Sequence, residues 1–233
     1  MLGKHQTLKD VHYARMLEVV GLEKLKALWQ TSNLIALTNW TMFPHQTEIW
    51  KSLLKDMAGV KTPLGATLFV DLADPEKRPP EEIASACRML KEFRSSHKVV
   101  FGVNQKESIE VSNALGLKFN PDAIEENAKT LRSVLELDAV VVHPTRNAAC
   151  ATASGSATLA GPFCANPKLT TGAGDNFNSG FCIGLMVGLE PAELLAAGKG
   201  SSGFYVRNAR SATNSELADF LEQWAGRFGD PTF

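Results

Sequence analysis

The run Leu169-Thr170-Thr171-Gly172-Ala173-Gly174-Asp175-Asn176-Phe177-Asn178-Ser179-Gly180-Phe181 holds the residue types and spacing in this chain best suited to chemistry. Gly172 and Gly174 flank one alanine, so successive backbone N–H groups can turn inward with little side-chain obstruction. Phe177, Phe181 and Leu185 then recur at i, i+4 and i+8, which predicts a helix starting near Gly174. A glycine turn feeding a helix N-terminus is an anion site, because unpaired N–H groups and the positive end of the dipole face one point. Asp175 sits inside that turn. A carboxylate there is a poor phosphate ligand, both being negative, but it is well suited to take a proton from a hydroxyl attacking the phosphate. Gly180, Gly184 and Gly188 repeat on a neighbouring stripe, where the helix is expected to pack closely against a sheet.

T-T-G-A-G-D-x-F-x-x-G-F, residues 170–181, resembles the C-terminal signature of the PfkB (ribokinase-like) carbohydrate kinases. That resemblance implies a three-layer α/β/α fold with a mostly parallel central sheet. It further implies transfer of the ATP γ-phosphate, with Mg²⁺, to a hydroxyl of a sugar or sugar-like alcohol. Asp175 would be the catalytic base, and the backbone of Gly172, Ala173 and Gly174 the anion hole. The plainer reading is a glycine-rich strand-to-helix turn without chemistry. A Walker-type G-x-x-x-x-G-K-[ST] loop is missing from the sequence, and no strand followed by G-x-G-x-x-G supports a dinucleotide site.

Four other segments enter through the same resemblance. Asn104-Gln105-Lys106-Glu107 is similar to an N-x-x-E motif, whose Asn104 and Glu107 would order magnesium and phosphate through water, with no direct metal ligand. Its local alternative is an Asn N-cap and a Glu favoured by the helix dipole. Asp71 to Arg78 resembles a D-x-N-x-R-type segment at the site rim, or else is a surface turn with local ion pairs. His143-Pro144-Thr145-Arg146-Asn147 stands where relatives carry T-x-G-x-x-G against the nucleotide; the glycines are missing here. Thr145 and Arg146, with Thr171, are the candidate nucleotide contacts, and Arg146 as a solvated loop residue is the alternative. Gly200-Ser201-Ser202-Gly203 is expected to interrupt the helix after Pro191, with Gly200, Ser201 and Gly203 either lining an adenine pocket or packing tightly on the helix of residues 174–188. Leu169 stands where relatives use Asp or Asn to help hold a monovalent cation, and leucine cannot ligate an ion.

These residues need elements to position them. Residues 8–30 carry apolar positions at helical spacing and predict a helical lead-in. Strands are expected at 34–38, 67–71, 99–103 and 139–143, and a β-hairpin within 148–163. Helices are expected at 46–57, from Pro80 or Glu81 to about Arg94, at 106–115, 121–137, 174–188, 191–207 and 215–227. Strands alternating with helices predict a parallel sheet covered on both faces. Ligands of such sheets sit beyond the carboxyl ends of the strands, where Thr38-Asn39, Asp71, Asn104 and His143 fall.

Length, charge and cysteine usage bound the function. At 233 residues, with 44% hydrophobic and 21% charged residues, the chain suits one globular domain with an appendage: a lead-in at 1–31 and a kinase core at 32–233. A net charge of −1 gives no electrostatic reason to expect nucleic acid or an anionic membrane. Cys87, Cys150, Cys164 and Cys182 are scattered, which favours free thiols in a reducing cytoplasm over disulfides or zinc. Met1–Gln6 lacks the apolar stretch of an export signal. His5, His12, His45 and His97 lack partner spacing, and Trp29, Trp40, Trp50 and Trp224 read as core or interface aromatics. Family members begin with further strands and a β-lid that hold most sugar contacts, so the resemblance covers the C-terminal two-thirds of such a fold. The expectation is a cytoplasmic sugar kinase with ATP and Mg²⁺, either a fragment of a longer reading frame or one lacking its sugar-binding half, and able to form a homodimer. Two alternatives stand beside it: a catalytically silent PfkB-like protein that binds nucleotide or a partner, and an ADP-dependent sugar kinase.

Overall fold

Apolar runs bounded by turn residues become strands here, and amphipathic runs become the helices between them. The computed structural model describes residues 5–230 and 233, with side chains from Leu8 onward. The leader reading at Met1–Gln6, the His5 reading and the first residues of the 1–31 lead-in therefore lie wholly or partly outside it. Six strands, β1 (Leu34–Leu37), β2 (Thr67–Val70), β3 (Lys98–Val103), β4 (Ala139–Val142), β5 (Asn147–Ala151) and β6 (Ser156–Ala160), hydrogen-bond in sequence order. β1, β2 and β3 are parallel, with Leu34 opposite Thr67 and Thr67 opposite Lys98. The Asp138 N–H donates to the Val99 carbonyl and the His143 N–H to that of Val103. β5–β6 is the expected antiparallel hairpin, and β5 also runs antiparallel to β4.

The chain forms two compact units. The first holds residues 1–101, 106–119 and 135–138. The lead-in helix expected over 8–30 is two helices, α1 (Tyr13–Val20) and α2 (Leu22–Thr31), because Gly21 between them takes φ +84. The Tyr13 hydroxyl ties α1 to Asp56 at the end of α3 (Gln46–Asp56). Pro80 opens α4 (Pro80–Met89), whose last expected turn is instead 3₁₀ over Leu90–Ser95. α5 (Gln105–Ala114) follows β3. Trp29, Trp40, Trp50 and Phe93 are buried in this unit, and His97 packs edge-on against Trp29 at 4.7 Å.

The second unit holds residues 102–105, 120–134 and 139–233. Here α6 (Ile124–Leu135) precedes β4, and α7 (Ala173–Val187), α8 (Pro191–Asn208) and α9 (Asn214–Gly226) follow the hairpin. α8 starts on Pro191 inside a capping box of Glu190 and Glu193, and runs unbroken through Gly200–Gly203. The expected interruption is absent, since each glycine in that run is filled by a neighbour and none needs positive φ. The glycine stripe of α7 is also corrected: it faces a helix, not a sheet. A Cβ on Gly180 would overlap Ser201 Oγ and the Ala197 carbonyl, and one on Gly184 would lie 2.9 Å from Leu194 Cδ2. Gly188 instead ends α7 in the left-handed conformation at φ +78. Cys87, Cys150 and Cys182 are buried free thiols, and Cys164 is a partly exposed one.

Candidate functional site

Gly172 is the pivot of the turn. It takes φ +91, ψ 0 and serves as N-cap of α7, with no side chain capping the helix. The first intrahelical bond is from the Asn176 N–H to the Gly172 carbonyl, so the three preceding N–H groups have no helical partner. Ala173 gives its N–H to the Thr170 carbonyl at 3.0 Å. Of the residues expected to form the anion hole, Ala173 thus has its amide engaged, while the amides of Gly174 and Asp175 lie in the first turn without a helical partner. The Asp175 side chain is exposed in the first turn of the same helix, where the dipole favours its negative charge.

Two of the glycines do different jobs. A Cβ on Gly172 would lie 2.8 Å from the Tyr205 hydroxyl, so the close approach and the backbone angle both demand glycine. A Cβ on Gly174 would meet only His143 Cε1, at 3.9 Å. The protein's own packing does not require glycine at 174.

α8 stitches the loop that leads into the turn. Tyr205 Oη donates to the Thr171 carbonyl at 2.7 Å, and the Lys168 N–H donates to the Val206 carbonyl. Arg207 donates to the carbonyls of Pro162 and Phe163. Thr171 is exposed and Leu169 is 37% exposed. Below the turn, the His143 ring stacks on Phe177 with centroids 4.5 Å apart, and its Nε2 is buried with no hydrogen-bond partner. Burial, and secondarily the Lys199 charge, push the His143 imidazole down to about 3, so it is neutral at ordinary pH.

The β4–β5 corner carries the remaining nucleotide candidates. Thr145 and Arg146 are exposed, and the Arg146 guanidinium lies over the Phe163 ring at 3.9 Å. Gly200 faces Leu221 and Leu217 of α9, Ser201 faces Gly180, and Gly203 faces Pro162 and Phe220. Each of these three is occupied by packing within the unit.

Asn104 follows β3 in the second unit. Glu107 belongs to the first, in the opening turn of α5, 4% exposed, its carboxylate accepting the Asp74 N–H at 3.1 Å. The rim segment has the local contacts of a tight turn. Asp71 accepts the Ala73 N–H, Ala73 and Asp74 both take positive φ, and Lys77 pairs with Asp74 at 3.0 Å. Arg78 donates to the carbonyls of Trp40, Thr41 and Phe43 while stacked over Trp40, organising the 3₁₀ turn at 40–42. Among the described residues no cluster of three His, Cys, Asp or Glu could hold a metal ion, and no helix is long and apolar enough to cross a membrane.

Lys199 and Tyr205 were not foreseen. Tyr205 gives no signal in a sequence, because its role lies in a contact 34 residues away. Lys199 does give one. It lies four residues after the buried Leu195, on a stripe where every neighbour is small or apolar.

Solved structures share this arrangement of strands and helices. A carbohydrate kinase from Agrobacterium tumefaciens superposes with TM-score 0.65 at 16% identity, over 95% of this chain and 63% of that one. Ribokinase from Thermotoga maritima gives TM-score 0.60 at 18% identity, over 88% and 60%. The fold is ribokinase-like. A family model described as prokaryotic ketohexokinase matches residues 1–224, and the chain belongs to that family. A ketohexokinase from Haloferax volcanii is 25% identical over 228 residues, 98% of this chain, which spans 60% of that relative's length.

Proposed function

We propose that this chain carries the phosphoryl-transfer machinery of a sugar kinase that moves the γ-phosphate of ATP to a hydroxyl of a ketohexose. The observation that carries the reading is the Gly172 turn: a left-handed glycine opens an uncapped helix whose first turn presents both free amides and an exposed carboxylate. In this reading the Gly174 and Asp175 N–H groups hold the charge that builds on the transferring group. Asp175 takes the proton of the acceptor hydroxyl. Thr145, Arg146 and Thr171 contact the nucleotide, while Gly200, Ser201 and Gly203 act there only through the packing of α8. Mg²⁺ would keep much of its water and bind through the phosphates. Asn104 and Glu107 would orient those waters, Glu107 being already held by the Asp74 amide. When bound, the ion supplies neutralisation of phosphate charge. The kinase core at 32–233 and a cytoplasmic setting belong to the same reading.

Asp175→Asn tests it, in a protein form that phosphorylates a ketohexose. Phosphoryl transfer is expected to fall roughly 10²–10⁴-fold with nucleotide affinity near wild type. An Asn variant retaining most of its turnover would sink the assignment.

A further inference from the structure

The corner between β4 and β5 has no glycine to shape it, yet it holds two of the three candidate nucleotide contacts. Its backbone is held from below. Lys199, on α8 and only 6% exposed, donates from Nζ to the Pro144 carbonyl at 2.6 Å and to the Thr145 carbonyl at 3.0 Å. Its stem lies against Gly161, where a Cβ would come within 2.9 Å of Lys199 Cδ and Cε. The Gly161 N–H in turn donates to the Arg146 carbonyl at 2.7 Å. Three successive carbonyls, of residues 144, 145 and 146, are thus fixed by one buried ammonium and the glycine that makes room for it.

A buried ammonium without a carboxylate partner is costly, and a methionine of similar shape would fill the same slot without that cost. Its retention calls for a use that packing does not supply. The proposed transfer chemistry leaves Lys199 idle.

We propose that Lys199 is a positioning residue that clamps the 144–146 corner into the form that receives a nucleoside triphosphate, and places a positive charge beneath it. The inference rests on the kinase reading above. Burial brings the Lys199 ammonium down to about 7, so the charge under the corner is present in mild acid and lost in mild base. His143, stacked beneath the turn, feels this charge and stays neutral throughout that range.

The test is calorimetric titration of the chain with the non-hydrolysable β,γ-imido analogue of ATP and Mg²⁺. Lys199→Met is expected to weaken binding about tenfold or more while thermal stability is kept or raised, because the carbonyls lose their donor but the stem's packing remains. Hydrogen exchange at the Gly161 amide should speed up in the same variant. From about pH 6 to about pH 8.5 the wild-type affinity should fall relative to that of Lys199→Met, as the ammonium loses its proton. If Lys199→Met fails to fold, Gly161→Ala presses on the stem instead and should weaken binding in the same direction. A folded Lys199→Met or Gly161→Ala that binds within about twofold of wild type, or pH profiles that run parallel, would overturn the proposal. A wild-type chain that binds no analogue defeats the kinase reading itself and the proposal with it. That outcome is told apart by failing before any substitution is made.

Discussion

Replacing Gly172 by alanine should separate the glycine that the turn's packing requires from Gly174, proposed above to face the phosphate. Alanine at φ +91 pays for a left-handed backbone, about 1–2 kcal/mol. Its Cβ would also sit 2.8 Å from Tyr205 Oη, so the ring must swing away from the Thr171 carbonyl that it holds at 2.7 Å. A net hydrogen bond of that kind contributes about 0.5–1.5 kcal/mol, giving roughly 1.5–3.5 kcal/mol of lost stability. Urea unfolding of wild type, Gly172→Ala, Tyr205→Phe and the double variant measures it. Removing Oη in Tyr205→Phe opens the space, so the double variant should be less destabilised than the two single losses predict, by about 1 kcal/mol. Gly174→Ala is the contrast. Its Cβ has only His143 Cε1 to meet, at 3.9 Å, so the chain should lose no stability while the proposed phosphate site is obstructed. A Gly172→Ala cost below about 0.5 kcal/mol, or additive effects in the cycle, would refute the close-approach account.

Two further outcomes follow from the second unit. Gly180→Ala should destabilise by about 1–3 kcal/mol in thermal or chemical unfolding, and Ser201→Ala should rescue it only in part, because the Ala197 carbonyl is backbone and cannot yield. His143 is held down to about 3 from 6.5 on folding, so the unfolded chain takes up a proton that the native state refuses. Its contribution to stability is complete above pH 6.5 and is lost as pH falls toward 3, at most about 5 kcal/mol. His143→Phe keeps the stack on Phe177, gives up no hydrogen bond at Nε2, and should shift the acid-unfolding midpoint to lower pH; an unchanged midpoint would remove His143 from the account.

The sequence by itself determined the order of elements and the place of one glycine turn at a helix start, because both are local. Apolar runs such as Val140–Val142 and the ladder Phe177–Phe181–Leu185 report their own period, and Gly172 and Asp175 lie within one helical turn of each other. Element ends were least legible: α4 gives way to a 3₁₀ turn at Leu90, and Gly21 divides the lead-in, as short-range geometry overrides periodicity. Tertiary structure alone decided what faces what. Glycines 200 and 203 of α8, which read equally as ligand space or packing, are filled by Leu221 and Pro162, and the α7 glycines expected against a sheet meet Ala197 and Leu194 of α8, contacts set by the approach of distant segments. Tyr205 over Gly172 and Lys199 under Pro144 belong to the same class, separated in sequence yet joined at hydrogen-bond distance, and no local pattern encodes a partner that arrives from elsewhere in the chain.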